Sequence, residues 1–300
     1  MFSSSDIPYE GVVIRPPSEA DSLIFQITLG CSDNGCIFCP AYKEKQFSVK
    51  TFAAVDRELR DAARHAPETR KIFFADGDPL IVEQQQLAAL LERACVYFPR
   101  LTRIGMYGSV KSLERKSAQD LRALKALKLG IVYLGFETGD SEVYRSIRKY
   151  GSPEGNVGAC LKVKEAGIKT NVTVILGLGG REHSESHACH TAEILNAAQP
   201  HQIAALTLMI APGTELYERE RTGRFTPLNE TGFLSELYTM VSRLDDFKCL
   251  FFSNHASNYY PISARFPHDK ATVLHELEKV RGMLAQGKRS FLRPESSRGL

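Results

Sequence analysis

The chain has 300 residues, of which 43% are hydrophobic and 24% are charged, with a formal net charge of +3 at pH 7. These proportions are ordinary for a globular protein and exclude a wholly disordered chain. No apolar run approaches the ~20 residues of a membrane helix, and the start MFSSSDIPYEG lacks the features of a secretory signal. We therefore expect a cytoplasmic protein without a membrane partner, and the small charge gives no strong sign of nucleic acid binding.

Strand-like and helix-like patterns alternate along the chain. The predicted strands are Ser22–Gly30, Lys71–Asp76, Arg103–Ser109, Ile131–Thr138, Lys169–Leu178, Gln202–Ile210 and a seventh over Lys248–Ser253. The predicted helices are Phe52–His65, Val82–Phe98, Ser117–Leu127, Glu154–Ala166, Glu182–Ala198, Phe233–Leu244 and a terminal one over Asp269–Gln286. Several strands are continuous apolar runs, as in parallel strands covered on both faces. The series predicts an α/β fold, either an open doubly wound sheet or a (β/α) barrel.

The domain organisation follows from the absence of a linker rich in Pro, Gly or Ser. We expect one domain, with an N-terminal arm over 1–21 and a barrel over 22–245. A C-terminal extension over 246–300 would cap the barrel. The first ~20 and last ~15 residues are predicted to be surface arms or frayed tails.

A polar or glycine-rich segment follows each of the first six predicted strands. These segments are Cys31–Cys39, Asp76–Pro79, Tyr107–Ser109, Glu137–Asp140, Gly177–Gly180 and Pro212–Thr214. In a parallel barrel the carboxyl ends of all strands lie on one rim, where ligands bind. The agreement of six positions predicts a ligand site on that rim.

Three of the seven cysteines, Cys31, Cys36 and Cys39, form the pattern C-x4-C-x2-C. An odd number of cysteines without a secretory signal argues against a disulfide-stapled protein. Thiolates bind iron and zinc, and three closely spaced cysteines can hold three corners of a [4Fe–4S] cluster while one iron stays open. A zinc loop with a distant fourth ligand and incidental buried cysteines are the alternatives.

This cysteine segment resembles the cluster-binding loop of the radical S-adenosylmethionine (SAM) superfamily. The usual spacing there is C-x3-C-x2-C, with an aromatic residue before the last cysteine; here that residue is Phe38, and the first gap is one residue longer. The segment AYKEKQF resembles a subgroup with the longer spacing. The resemblance implies a partial (β/α)6 TIM-like barrel, a [4Fe–4S] cluster on the three cysteines, and Phe38 near the adenine of SAM.

The segments after the second and fourth strands resemble SAM-binding motifs of the same family. Asp76-Gly77-Asp78-Pro79 resembles the Gly-Gly-Glu-type motif, which implies that Gly77 and Asp78 receive the methionine ammonium of SAM. Capping of the next helix by Asp78 is the alternative. Gly135–Gly139 resembles the G-x-E-[ST]-G segment, which implies that Glu137 and Thr138 reach the ribose hydroxyls or the methionyl amine.

Three later segments continue the resemblance in order. Glu142–Arg148 resembles a helix that supplies a cation to the SAM carboxylate, which implies Arg148 or Lys149, with a solvated helix face as the alternative. The segments after the fifth and sixth strands resemble segments that hold adenine. This resemblance implies adenine contacts for Gly177 and Leu178 after the fifth strand and for Pro212 after the sixth. The acid that ends the fifth-strand motif is missing, because Gly180 stands in its register.

The resemblance implies an enzyme in which one electron from the cluster cleaves the C–S bond of SAM. Methionine leaves, and the 5′-deoxyadenosyl radical abstracts hydrogen from an unidentified substrate. The electron would come from a reductant such as flavodoxin or ferredoxin. Two alternatives stay open. The same chemistry could act on tRNA or another RNA, although nucleic acid is not favoured, and the chain could be a non-catalytic iron–sulfur or zinc-binding protein.

Two polar features lie outside this resemblance. Ser253–Pro261 is dense in hydrogen-bonding side chains, and we predict that His255 and Asn258 act on the substrate there; a loop packing the C-terminal helix is the alternative. Three histidines have the spacing of one helix face, namely His183, His187 and His190. They could bind zinc, but a polar outer helix face is favoured.

Overall fold

Residues 7–299 are described by a computed structural model. Their contacts divide the chain into two compact units. Unit 1 consists of residues 7–34, 41–134 and 159–170, and unit 2 of residues 35–40, 135–158 and 171–299. The first six residues of the predicted arm, and Leu300, lie outside the described residues.

The secondary structure of residues 7–299 alternates as the sequence predicts. The strands are β1 Leu23–Gln26, β2 Thr28–Leu29, β3 Ser48–Val49, β4 Lys71–Ala75, β5 Arg103–Gly108, β6 Leu129–Glu137, β7 Lys169–Leu176, β8 Gln202–Thr207, β9 Cys249–Ser253 and β10 Ile262–Phe266. The helices are α1 Phe52–His65, α2 Gln84–Tyr97, α3 Val110–Glu114, α4 Ala118–Ala126, α5 Ser141–Ser146, α6 Pro153–Glu165, α7 Ser184–Ala198, α8 Glu215–Arg221, α9 Glu230–Ser242 and α10 Lys270–Ala285. The short helices α3 and α8 are absent from the predicted elements, since each is too short to show a period.

Eight strands form one mostly parallel sheet in the order β1-β4-β5-β6-β7-β8-β9-β10. β4 pairs in parallel with β1 and β5, β5 with β6, and β8 with β7 and β9. This is the α/β fold predicted for a partial (β/α)6 barrel, and the predicted seventh strand is confirmed as β9. β10 adds an antiparallel edge strand that the predicted elements lack, because its alternation of apolar and polar residues spans only five positions.

Local sequence signals fix several helix ends. The side chain of Ser117 accepts the Asp120 N–H and that of Asp120 accepts the Ser117 N–H, a reciprocal capping box that confirms the predicted helix start. Thr51 caps α1 through the Ala54 N–H. None of the helices within residues 7–299 is both long and apolar enough to cross a bilayer.

Most of residues 7–20 are exposed or half-buried, while a few side chains of this N-terminal segment pack into unit 1. Glu19 is fully buried and forms an ion pair with Arg103, N to O 2.6 Å. The Tyr9 hydroxyl donates to the Ile24 carbonyl, and Tyr9 packs on a core cluster of β1, β4 and β6 side chains. The ion pair with Arg103 compensates for burial of the Glu19 carboxylate, so this side chain can lie in the core.

The C-terminal tail is likewise tied down within unit 2 rather than frayed. The guanidinium of Arg298 lies over the ring of Tyr259, 4.0 Å from its centroid, and donates to the carbonyls of Ser257 and Leu208. Arg293 donates to the carbonyls of His255 and Asn258. The tail therefore covers the loop that follows β9.

Candidate cofactor and active site

In unit 1 the first cysteine lies directly against the segment that follows β4. A Cβ on Gly77 would stand 2.5 Å from the Cβ and 2.9 Å from the Sγ of Cys31, so only glycine fits there. The Gly77 N–H donates to the Gly30 carbonyl at 3.0 Å, which ties the two strand ends together. The backbone of the motif Asp76-Gly77-Asp78 is therefore brought to the cysteine loop.

Asp76 anchors the start of the cysteine loop. It is fully buried and adopts a left-handed backbone conformation, with φ of 75°. Its Oδ2 accepts from the Gly30 N–H at 2.8 Å, from Gln26 Nε2 at 3.0 Å and from Lys45 Nζ at 3.2 Å. Three donors, one of them a cation, compensate for burial of the carboxylate and for its backbone strain.

Asp78, the predicted partner of the SAM ammonium, is also fully buried. Its Oδ2 accepts from the hydroxyls of Ser32 at 2.6 Å and Ser109 at 2.7 Å. Its side chain makes no capping hydrogen bond to the short turn Pro79–Ile81 that follows, so the alternative role as a helix cap is wrong. Lys111 donates to the Ser32 carbonyl, which places a cation beside the same segment.

In unit 2 the segment around Cys36 is held by two backbone bonds. The Ile37 N–H donates to the Ile147 carbonyl at 3.1 Å, and the Leu216 N–H donates to the Ile37 carbonyl at 3.1 Å. Cys36 is buried, whereas Phe38 and Cys39 are half-buried. The segment is thereby fixed at both sides of Ile37 while Phe38 and Cys39 keep access to solvent.

Glu137 and Lys149 form an ion pair in unit 2. Glu137 ends β6 in a left-handed conformation with φ of 64°, and Lys149 Nζ lies 3.1 Å from its Oε1. Burial by itself lowers the pKa of Lys149, but the charges of Glu137 and Cys36 outweigh burial and raise that pKa above its ordinary value.

The structure separates the two cation candidates. The guanidinium of Arg148 points to α8 and forms two hydrogen bonds with Glu215, at 2.7 and 3.0 Å. Its side chain is 59% exposed. Of the two, Lys149 is therefore the one that lies beside Glu137.

Thr138 and Asp140 shape the turn that follows β6. The Thr138 hydroxyl accepts the Asp140 N–H at 3.0 Å. Asp140 Oδ1 accepts the N–H groups of Glu142 and Val143, which begin α5, and His190 Nδ1 lies 3.1 Å from its Oδ2. Burial raises the pKa of Asp140, but these hydrogen bonds outweigh it and lower the pKa to about 2.

The predicted adenine segments end β7 and β8. Gly177 has φ of 82°, and its N–H donates to Glu236 Oε1 at 2.5 Å; Leu178 is buried beside it in the chain. Pro212 is exposed, in the loop that precedes α8. Thr214 caps α8 by accepting the Tyr217 N–H.

His255 and Asn258 make local contacts in unit 2. The Asn258 amide donates to the Ala205 carbonyl and to Ser253 Oγ, both at 2.8 Å. His255 Nδ1 lies 2.9 Å from Ser257 Oγ, and burial together with Arg293 lowers the pKa of His255. The contacts of Asn258 are those of a loop support. A role of either residue on the substrate stays a prediction.

The histidines of α7 do not share one outer face. His187 is buried and its Nδ1 lies 3.0 Å from Glu236 Oε1, so the polar outer face is wrong for this residue. His190 is half exposed and faces Asp140. The helical period places the His187 side chain on the face of α7 that packs against α9.

The sequence analysis assigns no role to four residues that build these strand ends, namely Gln26, Lys45, Asp76 and Glu236. Asp76 and Gln26 lie in or next to strand runs, where an isolated polar residue is not distinctive. Glu236 gives a readable signal, since it interrupts the apolar positions of a helix at Phe233, Leu237 and Met240. A charge among such positions indicates a buried partner.

The donor chemistry of the cysteine segment fits an iron–sulfur cluster. Among residues 7–299 no three His, Cys, Asp or Glu side chains are gathered as one metal ion requires. In a cubane each cysteine binds a different iron, so its three thiolates need not converge on one point. Thiolate ligands suit that cluster.

Comparison with known proteins defines the class. The sequence model of the radical SAM superfamily matches residues 25–195, more than half of the chain. The protein thus belongs to the radical SAM superfamily of enzymes, whose cofactors are a [4Fe–4S] cluster and SAM. A comparison with functionally characterised proteins by sequence finds no match.

Solved structures of radical SAM enzymes share the fold. A methylornithine synthase is 16% identical with a TM-score of 0.52, over 74% of this chain and 62% of the other. Coproporphyrinogen III oxidase from Escherichia coli is 16% identical with a TM-score of 0.56, over 74% and 51%. An Elp3 from the archaeon Methanocaldococcus infernus, with an N-terminal deletion, is 13% identical with a TM-score of 0.51, over 77% and 59%. The chain thus spans only about half to three fifths of these proteins.

Proposed function

We propose that this protein cleaves SAM reductively at a [4Fe–4S] cluster held by Cys31, Cys36 and Cys39. When bound, the cluster and SAM supply one-electron cleavage of the sulfonium C–S bond, which releases methionine and a 5′-deoxyadenosyl radical that takes hydrogen from the substrate. The observation that carries the proposal is the close approach of Gly77 to Cys31. It brings backbone carbonyls and Asp78 to the cysteine loop, as recognition of the methionine end of SAM requires.

In unit 1, Gly77 and Asp78 receive the SAM ammonium. The Asp78 carboxylate is buried and oriented by two hydroxyl donors, so it is preorganised for a charge-assisted hydrogen bond. Its burial makes the interaction stronger than it is in water. The motif therefore selects an ammonium rather than a neutral group.

In unit 2, Glu137 and Thr138 accept ribose hydroxyls or the methionyl amine, and Lys149 is the cation for the SAM carboxylate. The support is the ion pair of Lys149 with Glu137, in contrast to Arg148, which is engaged by Glu215. Lys149 exchanges the Glu137 carboxylate for the SAM carboxylate when SAM binds, so its charge is compensated in both states.

The adenine is held by Gly177 and Leu178 with Phe38 and Pro212. Two of these are backbone positions at strand ends, and two offer apolar surface. A reductant such as flavodoxin or ferredoxin supplies the electron. The substrate is a molecule with an abstractable hydrogen, and the loop of His255 and Asn258 is our prediction for its contacts.

The test is anaerobic reconstitution with iron and sulfide, reduction with dithionite, and chromatography of the SAM products. We expect 5′-deoxyadenosine and methionine in equal amounts from the wild-type protein and neither from Cys36→Ala. Cys249→Ala is a matched control, since this buried strand cysteine has a pKa raised to about 12 by burial alone. A brown protein that leaves SAM intact under these conditions would contradict the proposal and indicate an electron carrier.

A further inference from the structure

We propose that Glu236 is a positioning residue that fixes the loop Gly177–Gly180 for the adenine of SAM. The proposal rests on the adenine role proposed above for Gly177 and Leu178. Glu236 lies in the middle of α9 and is only 2% exposed. A carboxylate so deeply buried must be compensated, and its partners show what it holds.

Glu236 accepts three hydrogen bonds, all from unit 2. Its Oε1 accepts the Gly177 N–H at 2.5 Å and faces His187 Nδ1 at 3.0 Å, and its Oε2 accepts the Ser184 hydroxyl at 2.6 Å. Gly177 opens the adenine loop and Ser184 begins α7 on its other side. One carboxylate therefore holds both ends of the segment between β7 and α7.

The second ring nitrogen of His187 bears on which tautomer suits the contact with Glu236. His187 Nε2 is buried and has no hydrogen-bond partner among the described residues. A neutral ring with its hydrogen on Nδ1 donates to Glu236 and leaves only a lone pair unpaired, whereas a charged ring would bury an unpaired N–H. With this tautomer His187 donates to Glu236 through Nδ1–H and adds a third contact to the carboxylate.

α9 also fixes Gly177 by shape. A Cβ on Gly177 would stand 2.2 Å from the Phe233 ring, and Phe233 precedes Glu236 by three residues on the same helix face. The ring sets the position of Gly177 while the carboxylate sets the direction of its N–H. Because Gly180 stands where the resembling motif ends in an acid, the acid that orders this loop comes from a helix 59 residues away.

The inference is tested by comparing Glu236→Ala with Glu236→Gln and with Glu230→Ala. The amide of Gln keeps an oxygen for the Gly177 N–H, and Ser184 can accept from its NH2 group. Glu230, on the same helix, lies 4.0 Å from Arg289 and contacts neither Gly177 nor His187 in the described hydrogen bonds. Three readouts are measured: SAM affinity of the reconstituted protein by calorimetry, the change that methionine alone induces in the EPR spectrum of the reduced cluster, and amide hydrogen exchange of residues 176–183 without cofactors.

We expect Glu236→Ala to weaken SAM binding about tenfold or more, the effect of losing one hydrogen bond to a charged group. Exchange of residues 176–183 should accelerate, while the methionine-induced EPR change stays as in the wild type. Glu236→Gln should retain most of the affinity, and Glu230→Ala all of it.

Two outcomes separate the claims. If the wild-type protein binds SAM and Glu236→Ala shows the same SAM affinity and the same amide exchange, the role of Glu236 is overturned and the proposed function is not. Loss of the methionine-induced EPR change in Glu236→Ala would also overturn that role, because it would indicate general damage to the protein. A reconstituted wild-type protein that binds no SAM would overturn the proposed function and this inference with it.

Discussion

The segments at the ends of β4 and β6 each contain two acidic residues, and the structural one comes first after β4 and second after β6. Asp76 directly follows β4 and Glu137 ends β6, both in a left-handed conformation, and a second acid follows each within three residues, Asp78 and Asp140. After β4 the first acid is the structural one, because three donors converge on one oxygen of Asp76. After β6 the second acid is structural, because Asp140 caps α5 and faces His190.

The difference shows how burial and partner type assign a role to a carboxylate. One backbone amide, the Gln26 side chain and a loop lysine hold Asp76 in place at the start of the cysteine loop. Glu137 is instead paired with one lysine side chain that is 18% exposed and can change partner. Left-handed backbone alone therefore does not distinguish a structural acid from one that meets a ligand.

Among the variants that test this comparison, we expect Asp76→Ala to have the largest effect on stability. The substitution leaves the Gly30 N–H, the Gln26 amide and the Lys45 ammonium without their acceptor, so we expect a loss of about 3 kcal/mol in the free energy of unfolding. Urea unfolding of the cofactor-free protein measures it, with Asp76→Asn as the conservative control. A change within about 0.5 kcal/mol, typical of neutral surface positions, would contradict the structural role.

A ligand-directed role of the second acid after β4 is tested by Asp78→Ala. We expect weaker SAM binding by about 1.5–3 kcal/mol, the range for hydrogen bonds to charged groups, with the cluster still in place. Titration calorimetry of the reconstituted protein measures this, and its absorption spectrum reports the cluster. Unchanged affinity would show that Asp78 only links Ser32 to Ser109.

Asp140 gives a pH-dependent test of the structural acid after β6. Its pKa is lowered in the folded protein from 3.8 to about 2, so its contribution is complete above pH 3.8 and is lost as the pH falls through about 2. The contribution is about 2 kcal/mol. Unfolding of wild type and Asp140→Asn should differ by this amount at about pH 5 and converge below about pH 2. A difference in unfolding free energy between wild type and Asp140→Asn that does not change with pH would contradict the structural role of the Asp140 carboxylate.

The smallest effects distinguish the two neighbouring cations. Lys149→Met should weaken SAM binding about tenfold, because it removes the cation that is paired with Glu137. Arg148→Met should leave the affinity unchanged, because its guanidinium is exposed and bound to Glu215. Equal effects of both variants on SAM affinity would assign the carboxylate contact to neither residue alone.

The sequence predicts the fold through features that are local. Continuous apolar runs such as KIFFA identify strands buried on both faces, and the cap at Ser117 fixes a helix start. The polar segments at strand ends follow from the same pattern. Short elements such as α8 and β10 escape because a period needs more residues than they have.

The site is predictable only where one segment carries its own chemistry, as Cys31 to Cys39 does. Residues that act through distant partners are not: Glu236 reaches Gly177 across 59 positions, and Asp76 meets Lys45 across 31. For the same reason the sequence does not reveal the ion pair of Glu19 with Arg103, which depends on packing. Periodicity reports which face of an element is apolar and says nothing about which polar groups meet.

The most direct test of the central claim is the iron content and EPR spectrum of the anaerobically reconstituted protein. Wild type should bind about four irons per chain and, once reduced, give a [4Fe–4S]⁺ signal that changes when SAM is added. Cys31→Ala, Cys36→Ala and Cys39→Ala should each lose the cluster, whereas Cys160→Ala, a buried cysteine of α6, should keep it. Full iron content with a SAM-responsive signal in Cys36→Ala would contradict the assignment.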